Sequence, residues 1–492
     1  MQTKIIFAMV IAAAAALRLL SLGSIPAGIY ADEASSGYDA FSLLHTGSDR
    51  HGEFLPLLFR SFGDYIPPVY NYSIIPFAAL LDLDAWSTRL PAALFGIGGV
   101  ILTFFITRKL ASERAALLAS AFIAVSPWHL QFSRIAFPAI SLSFFFLLAF
   151  FFLLKSRDDA RYLVPAAFAF GISLHTYAVA KLFMPLFLMG FFIIYRRYFT
   201  VSLRLIAPLV IALLFAAPAY YLSFFGPGNE RFSQLSIFAE ERPFALFSSN
   251  FLSHLSPDFL LISGDGNLRH SIKGFGQLHW FLLPLILIGL FLLLRNIRRP
   301  SHQLLLLWLL LFPVAASLTA EGNPHAVRSI VAVPLFEIIA AIGAYQGYRH
   351  LAGRRRLLLA IAAISIVAAL ANTGLYLHSY FGDYPRYSKD LFQDKLADGF
   401  AALASREGDY ARVIVSDSLL PEPEIYVLFY TRYDPAAYQR SQLAGSKYLV
   451  DNIWIHPYDK DRLYLVMPYE LGNVPAQETI AYDDGEPAFR IV

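Results

Sequence analysis

No cysteine occurs in the 492 residues. Disulfides, thiolate nucleophiles and cysteine-bound metals are therefore excluded, and cysteine usage says nothing about redox compartment. Charge is scarce too: Asp, Glu, Lys and Arg make up 15% of the chain, against about 25% in a typical soluble domain. The net charge of +3 is small and spread over many connections, so no basic face suits nucleic acid. There is no internal repeat, no low-complexity segment, and no pair of interrupted spans of the transporter type. What abounds is apolar surface: 57% hydrophobic residues, with 44 Phe and 27 Tyr, and a mean hydropathy of +0.53. This composition predicts a polytopic α-helical membrane protein.

Apolar runs near the ~20 residues needed to cross a bilayer fall at 3–22, 89–108, 114–127, 137–155, 161–179, 182–196, 203–222, 279–294, 302–320, 328–348 and 356–377. They predict about eleven spans. Residues 1–22 read as an uncleaved first span, because no small-residue cleavage site leads into a soluble stretch. Basic clusters at Arg108–Arg114, Lys155–Arg161, Arg196–Arg204, Arg295–Arg299 and Arg349–Arg356 alternate with the spans. All can be cytoplasmic, with the N-terminus inside. The loops at 23–88 and 223–278, the turn at 321–327 and everything after about 378 then lie outside the cell membrane. A further run, 66–83, would break the alternation if it crossed, so it reads as interfacial or re-entrant. After residue 378 charge rises and short alternating segments, Arg412–Ser416 and Arg462–Val466, read as strands preceded by a helix over 388–406. Two domains are thus expected: a transmembrane catalytic domain, 1–378, and a small extracytoplasmic α/β domain, 379–492.

Polar chemistry gathers on the outer side. Asp32 and Glu33 sit where the first run ends. Adjacent acids can simply cap a helix, but here basic residues recur at outer membrane depth against the usual bias. Arg89 and Arg134 are joined by His175 and Lys181, by Asp265, Arg269 and His270 in the long loop, and by His325 and Arg328. Singly, the cations read as snorkelling anchors, and Trp128 and Tyr30 as belt aromatics. Together they suit an anionic lipid headgroup, with a carboxylate placed to take a proton. Phosphate leaves readily only when its developing charge is stabilised.

These residues fall in a familiar order. Asp32-Glu33 resembles the acidic motif in the first outer loop of GT-C glycosyltransferases. The likeness is strongest to the dolichyl-phosphate-mannose protein mannosyltransferase family and its bacterial polyprenyl-phosphate-sugar-dependent members. Tyr65–Tyr70 resembles the family's Pro-Pro segment, and Arg89–Gly96 its Arg-x-Pro-Ala-Leu-Phe-Gly span. Ser126-Pro127 with Ser133-Arg134 is similar to the second outer loop; Gly171–Tyr177 and Pro324–Arg328 match stretches of bacterial members. The resemblance, covering about 1–375, implies an inverting transferase. A sugar would pass from a polyprenyl-phosphate donor to a hydroxyl acceptor on protein, lipid or glycan, outside the cytoplasmic membrane. Asp32 would be the general base and Glu33 its motif partner. Arg89 and Arg134 would support the active site or the donor phosphate. Chemistry extends the phosphate-binding or substrate-binding set to His175, Lys181, Asp265, Arg269, His325 and Arg328. The second outer loop departs from the family: 137–140 reads Phe-Pro-Ala-Ile, without the usual acid. A divalent ion wants several oxygen ligands, so chemistry without a metal or other cofactor is expected, although Asp265 could compensate. The competing readings are a lipid-linked glycan flippase and a catalytically silent scaffold; replacing Asp32 separates them.

Overall fold

The computed structural model describes residues 2–199, 203–226, 236–419, 422–455 and 458–492. Part of the long loop, 227–235, lies outside them. Each of the eleven apolar runs carries a helix. Among the described residues, seven segments are long and apolar enough to cross a membrane: Gln2–Leu19, Ala85–Leu110, Ala139–Ser156, Leu203–Phe224, Pro300–Ser317, Ile330–Leu351 and Arg355–Tyr387. Glu113–Val125, Leu163–Ser173, Ala180–Ile194 and Leu283–Arg295 are shorter, at 11 to 15 residues. At 1.5 Å per residue they reach only about 17–23 Å of the ~30 Å hydrocarbon layer. The run at 66–83 becomes a 13-residue helix, Val69–Leu81, with Pro76 inside it.

The chain clusters into two compact units, one of 1–20 and 92–380, the other of 21–91 and 381–492. In the first unit, helix Leu335–Leu351 is buried from Leu335 to Gly343. It crosses Leu283–Arg295 closely: a Cβ on Gly343 would stand 2.1 Å from the Leu285 carbonyl, and one on Gly289 2.2 Å from that of Ile339. Small residues at such crossings let helix backbones approach.

The second unit is built on a sheet. After a hairpin of β1 (Phe59–Ser61) and β2 (Asp64–Ile66) come β3 (Arg412–Ser416), β4 (Tyr448–Asp451), β5 (Arg462–Val466), β6 (Glu478–Ala481) and β7 (Pro487–Ile491). The order is β4-β3-β5-β7-β6, with β3 parallel to β4 and β5, and β7 antiparallel to β5 and β6. Both strands expected from alternation are present with the expected bounds. The period of two sorts their side chains. Val413, Val415, Leu463 and Leu465 join one core cluster, while Ile414, Tyr464 and Val466 join another. The first of these cores also contains Ile29, Ala34, Tyr38, Phe41 and Leu83, so the long loop at 23–88 folds with the C-terminal segment. The helix expected over 388–406 is only Leu396–Ala404. Gln393 and Lys395 adopt φ of 52° and 65°, which breaks the helical path before it.

Candidate active site

In the sheet-bearing unit the acidic pair opens helix Ala31–Thr46, which Gly47 ends in the left-handed region at φ 73°. Asp32 is the second helical residue and Glu33 the third. A negative charge in the first turn is favoured by the peptide dipoles and unpaired N–H groups there. The two acids have different surroundings. Glu33 is fully buried, while Asp32 is half-buried.

Glu33 is gripped by Arg89, which is also fully buried. Arg89 Nε donates to Glu33 Oε1 and Nη2 to Oε2, both at 2.8 Å, and the Tyr30 amide adds a bond to Oε2 at 3.4 Å. The remaining Arg89 donors reach the carbonyls of Leu22 (3.3 Å), Pro26 (2.9 Å) and Gly28 (2.7 Å). A guanidinium has five N–H donors, and here five acceptors take them. These contacts make Arg89 a brace for Glu33 and for the backbone that leads into its helix. Gly28 makes the arrangement possible. Its φ is +81°, and a Cβ there would lie 2.1 Å from the Phe392 carbonyl.

Farther along the same helix, Arg50 Nη1 donates to Asp39 Oδ2 at 2.8 Å and to Ser35 Oγ at 2.5 Å, and Arg50 Nη2 to the Arg60 carbonyl at 3.0 Å. Burial outweighs the Arg50 charge and pushes the Asp39 carboxyl up to about 7. This second buried pair carried no sequence motif and was missed; Asp39 eight places after Ala31 on an amphipathic helix was its only signal. The unit also has a cavity of ≈ 500 Å³ bordered by Trp86, Tyr430, Asp84, Asp394, Lys395 and Arg432.

In the other unit, Arg134 is fully buried and donates from Nη1 to the Leu17 carbonyl (2.6 Å) and from Nη2 to that of Leu20 (2.8 Å). A cation on the last carbonyls of the first span is a favourable helix terminus. Arg18 spreads over the carbonyls of Ala14, Ile123 and Ala124, and its Nη2 lies 2.7 Å from His129 Nδ1. Burial, then the Arg18 charge, pushes His129 well below the usual imidazole range. The bond therefore runs from guanidinium to a neutral ring. Trp128, expected in the interfacial belt, is instead fully buried and donates from Nε1 to the Ala326 carbonyl. Tyr30, read the same way, is also buried.

Two loops of this unit bring Asp265 and His325 together and add His270. Asp265 Oδ2 lies 2.8 Å from His270 Nδ1 and 3.8 Å from His325 Nδ1, and accepts the Ala326 amide at 2.8 Å. Its Oδ1 accepts from the Asn267 amide. Burial opposes the Asp265 charge, but the hydrogen bond and charge of His270 hold its carboxyl below the usual range. Burial and the Arg328 charge push His325 down to about 3, leaving it neutral. The Arg269 carbonyl takes a bond from Gln131 Nε2. Arg328 Nη1 binds Thr319 Oγ1 and the Glu321 carbonyl, bracing its own turn. His175 and Lys181 belong elsewhere: Nε2 of His175 lies 2.9 Å from the Phe215 carbonyl, and Lys181 Nζ 2.5 Å from Ser223 Oγ, both on helix Ile206–Phe224. Of the ten expected residues, these contacts join Asp265 with His325 and Glu33 with Arg89.

Known proteins share this architecture. ArnT from Cupriavidus metallidurans, solved bound to undecaprenyl phosphate, superposes with a TM-score of 0.59 over 98% of this chain and 97% of its own, at 15% identity. The oligosaccharyltransferase AglB from Archaeoglobus fulgidus, in complex with an inhibitory peptide and a dolichol-phosphate, gives 0.51 over 88% of this chain and 64% of its own, at 14% identity. The chain shares the fold of these two proteins. Residues 66–221 match the dolichyl-phosphate-mannose-protein mannosyltransferase family model. The Bacillus subtilis protein named "Putative mannosyltransferase YkcB" is 32% identical over 131 residues, a match spanning 26% of this chain and 18% of that protein. The resemblance read from the motifs, and the multi-pass helical membrane architecture with a small C-terminal sheet, are both borne out.

Proposed function

We propose that the protein is an inverting membrane glycosyltransferase. It moves a sugar from a polyprenyl-phosphate donor to a hydroxyl acceptor on the outer face of the cytoplasmic membrane. Asp32 takes the proton of the acceptor hydroxyl as its oxygen bonds to the anomeric carbon. The bond from that carbon to the phosphate oxygen breaks, and the lipid phosphate departs with the electron pair, inverting the configuration. Charge developing on the leaving phosphate is met by basic side chains. Arg134 and Arg89 act by holding backbone in place.

The observation that carries this reading is the division of labour in the acidic pair: Arg89 occupies both oxygens of Glu33, while Asp32 stays half-buried at the helix N-terminus. The family model over 66–221 and the lipid phosphates in the ArnT and AglB structures support the donor class. The decisive test is Asp32→Asn, assayed with a panel of polyprenyl-phosphate sugars in purified, membrane-inserted protein. Transfer should fall by at least about a thousandfold, in keeping with loss of a positioned base, with unchanged expression and thermal stability. Transfer within tenfold of wild type would remove Asp32 from the chemistry. Donor translocation that survives in the variant would favour the flippase reading.

A further inference from the structure

Asp265, His270 and His325 offer one ligand atom each, all within 4.8 Å of one another, and they come from loops 55 residues apart in sequence at their nearest (270 and 325). Two of the three residues are buried and His325 is nearly so, its side chain 16% exposed. The separations from Asp265 Oδ2 to the two Nδ1 atoms are 2.8 and 3.8 Å. They straddle the about 3.4 Å edge of a tetrahedron drawn with metal–ligand bonds of about 2.1 Å.

A purely hydrogen-bonded explanation covers His270 but not His325. Among the described residues, Nδ1 of His325 is buried without a hydrogen-bond partner. If it bears a proton, no acceptor among them lies within bonding distance. If it bears a lone pair, that lone pair faces a carboxylate oxygen 3.8 Å away. Either arrangement is costly for a buried polar atom, and a cation between the two atoms removes the cost. The ligands are also held as metal ligands usually are. The Asn267 and Ala326 amides fix the Asp265 carboxylate, and the His325 amide donates to Nε2 of His254, whose Nδ1 is tied to the Asn250 carbonyl.

We infer that Asp265, His270 and His325 form a binding site for a divalent transition ion of the zinc class. Two imidazoles and one carboxylate suit zinc, cobalt or manganese; magnesium and calcium prefer all-oxygen shells. Three protein ligands leave a coordination position open. That this position takes a phosphate oxygen rests on the transferase reading above; the ion site itself does not.

The test uses the full-length protein in detergent, stripped with chelator and titrated with Zn²⁺, then with Mg²⁺ as a counter-ion control. One equivalent of Zn²⁺ should be retained after gel filtration, measured by elemental analysis, and Mg²⁺ should not displace it. His270→Ala and His325→Ala should each weaken binding by at least about tenfold, while His175→Ala, on a different helix, should leave it unchanged. All three variants are checked for wild-type gel-filtration profile. Less than a tenth of an equivalent in wild type would overturn the site, as would undiminished binding in either ligand variant. Should a ligand variant fail to fold, Asp265→Asn, which keeps the side chain's shape, takes its place under the same criteria. Co²⁺-loaded wild type then reports on the open position: its visible spectrum should shift on adding inorganic phosphate. A spectrum unmoved by phosphate would refute the phosphate role while the ion site stands, and neither result depends on sugar transfer.

Discussion

The buried Arg89–Glu33 pair should be indispensable to the fold of the sheet-bearing unit, and Arg89→Leu is the perturbation that shows it. The substitution removes both 2.8 Å charge-assisted bonds and leaves the Glu33 carboxylate fully buried without its counter-charge. Breaking one side of such a pair costs about 3–5 kcal/mol. The carbonyls of Leu22, Pro26 and Gly28 lose their donor as well, at about 1–3 kcal/mol each where water cannot reach them. Even the lower bound, about 3 kcal/mol, is a large part of a typical stability of about 5–15 kcal/mol. Arg89→Leu should therefore give a protein that expresses poorly and unfolds at much lower temperature in detergent. The double variant Glu33→Leu with Arg89→Leu should be more stable than Arg89→Leu alone, because the stranded charge is gone. Arg89→Lys separates the positioning role from a phosphate role. A lysine offers one point charge in place of a five-donor fork, so it too should destabilise. The reasoning is refuted if Arg89→Lys keeps wild-type thermal stability and only raises the KM for the lipid donor, or if the double variant is no more stable than the single.

Two further outcomes follow from single sites. Gly28→Ala forces a Cβ into the left-handed region at φ +81° and to within 2.1 Å of the Phe392 carbonyl, so it should cost at least about 1–3 kcal/mol; a melting temperature within a degree of wild type would count against it. His129 has its folded-state pKa depressed by burial and Arg18, so below about pH 6.5 the unfolded chain takes up a proton that the folded one refuses. The stability it contributes, present above that pH, should be lost as pH falls, by up to about 1.4 kcal/mol per unit; comparing melting temperatures at neutral and acidic pH, wild type should show a steeper decline than His129→Gln.

Much of the architecture was legible because lipid imposes a simple rule. Backbone groups must satisfy themselves inside the hydrocarbon, so every long apolar run had to carry a helix, and each does. Length was less legible: the run at 161–179 yields only Leu163–Ser173, because composition marks where helix is permitted rather than where it stops. Strands β3 and β5 were visible through their alternation, whereas β4, β6 and β7 were not. Their burial is patchier, and tertiary context decides such segments. At the site, the acidic pair and its arginine were found from their position at the outer end of spans. Which partner each arginine takes was not, since pairing across 56 residues between Glu33 and Arg89 leaves no local trace. His270 was noticed only as one of several outer histidines. Its bond to Asp265, five residues earlier, depends on a loop turn that the intervening Gly266, Asn267 and Leu268 permit but do not announce.

The composition of the second unit bears on what the C-terminal segment is for. An accessory recruitment module would carry its own core and leave the loop at 23–88 to fold elsewhere. Instead Ile29, Ala34, Tyr38 and Phe41, on either side of Asp32 and along its helix, share one apolar cluster with Val413, Leu463, Phe429 and Phe489. Tyr38 Oη bonds the Tyr433 carbonyl, and Gln439 Nε2 reaches Ser42 Oγ, Thr46 Oγ1 and the Asp49 carbonyl. The helix that presents Asp32 is thus clamped from its first turn to its last by residues after 381. A general base acts through a hydrogen bond of fixed length, and small displacements are expensive. On the proposal that Asp32 is the base, the C-terminal sheet helps set its carboxylate in place, and the sequence of that sheet should be constrained by the packing of Ala31–Thr46 ahead of any recruited partner.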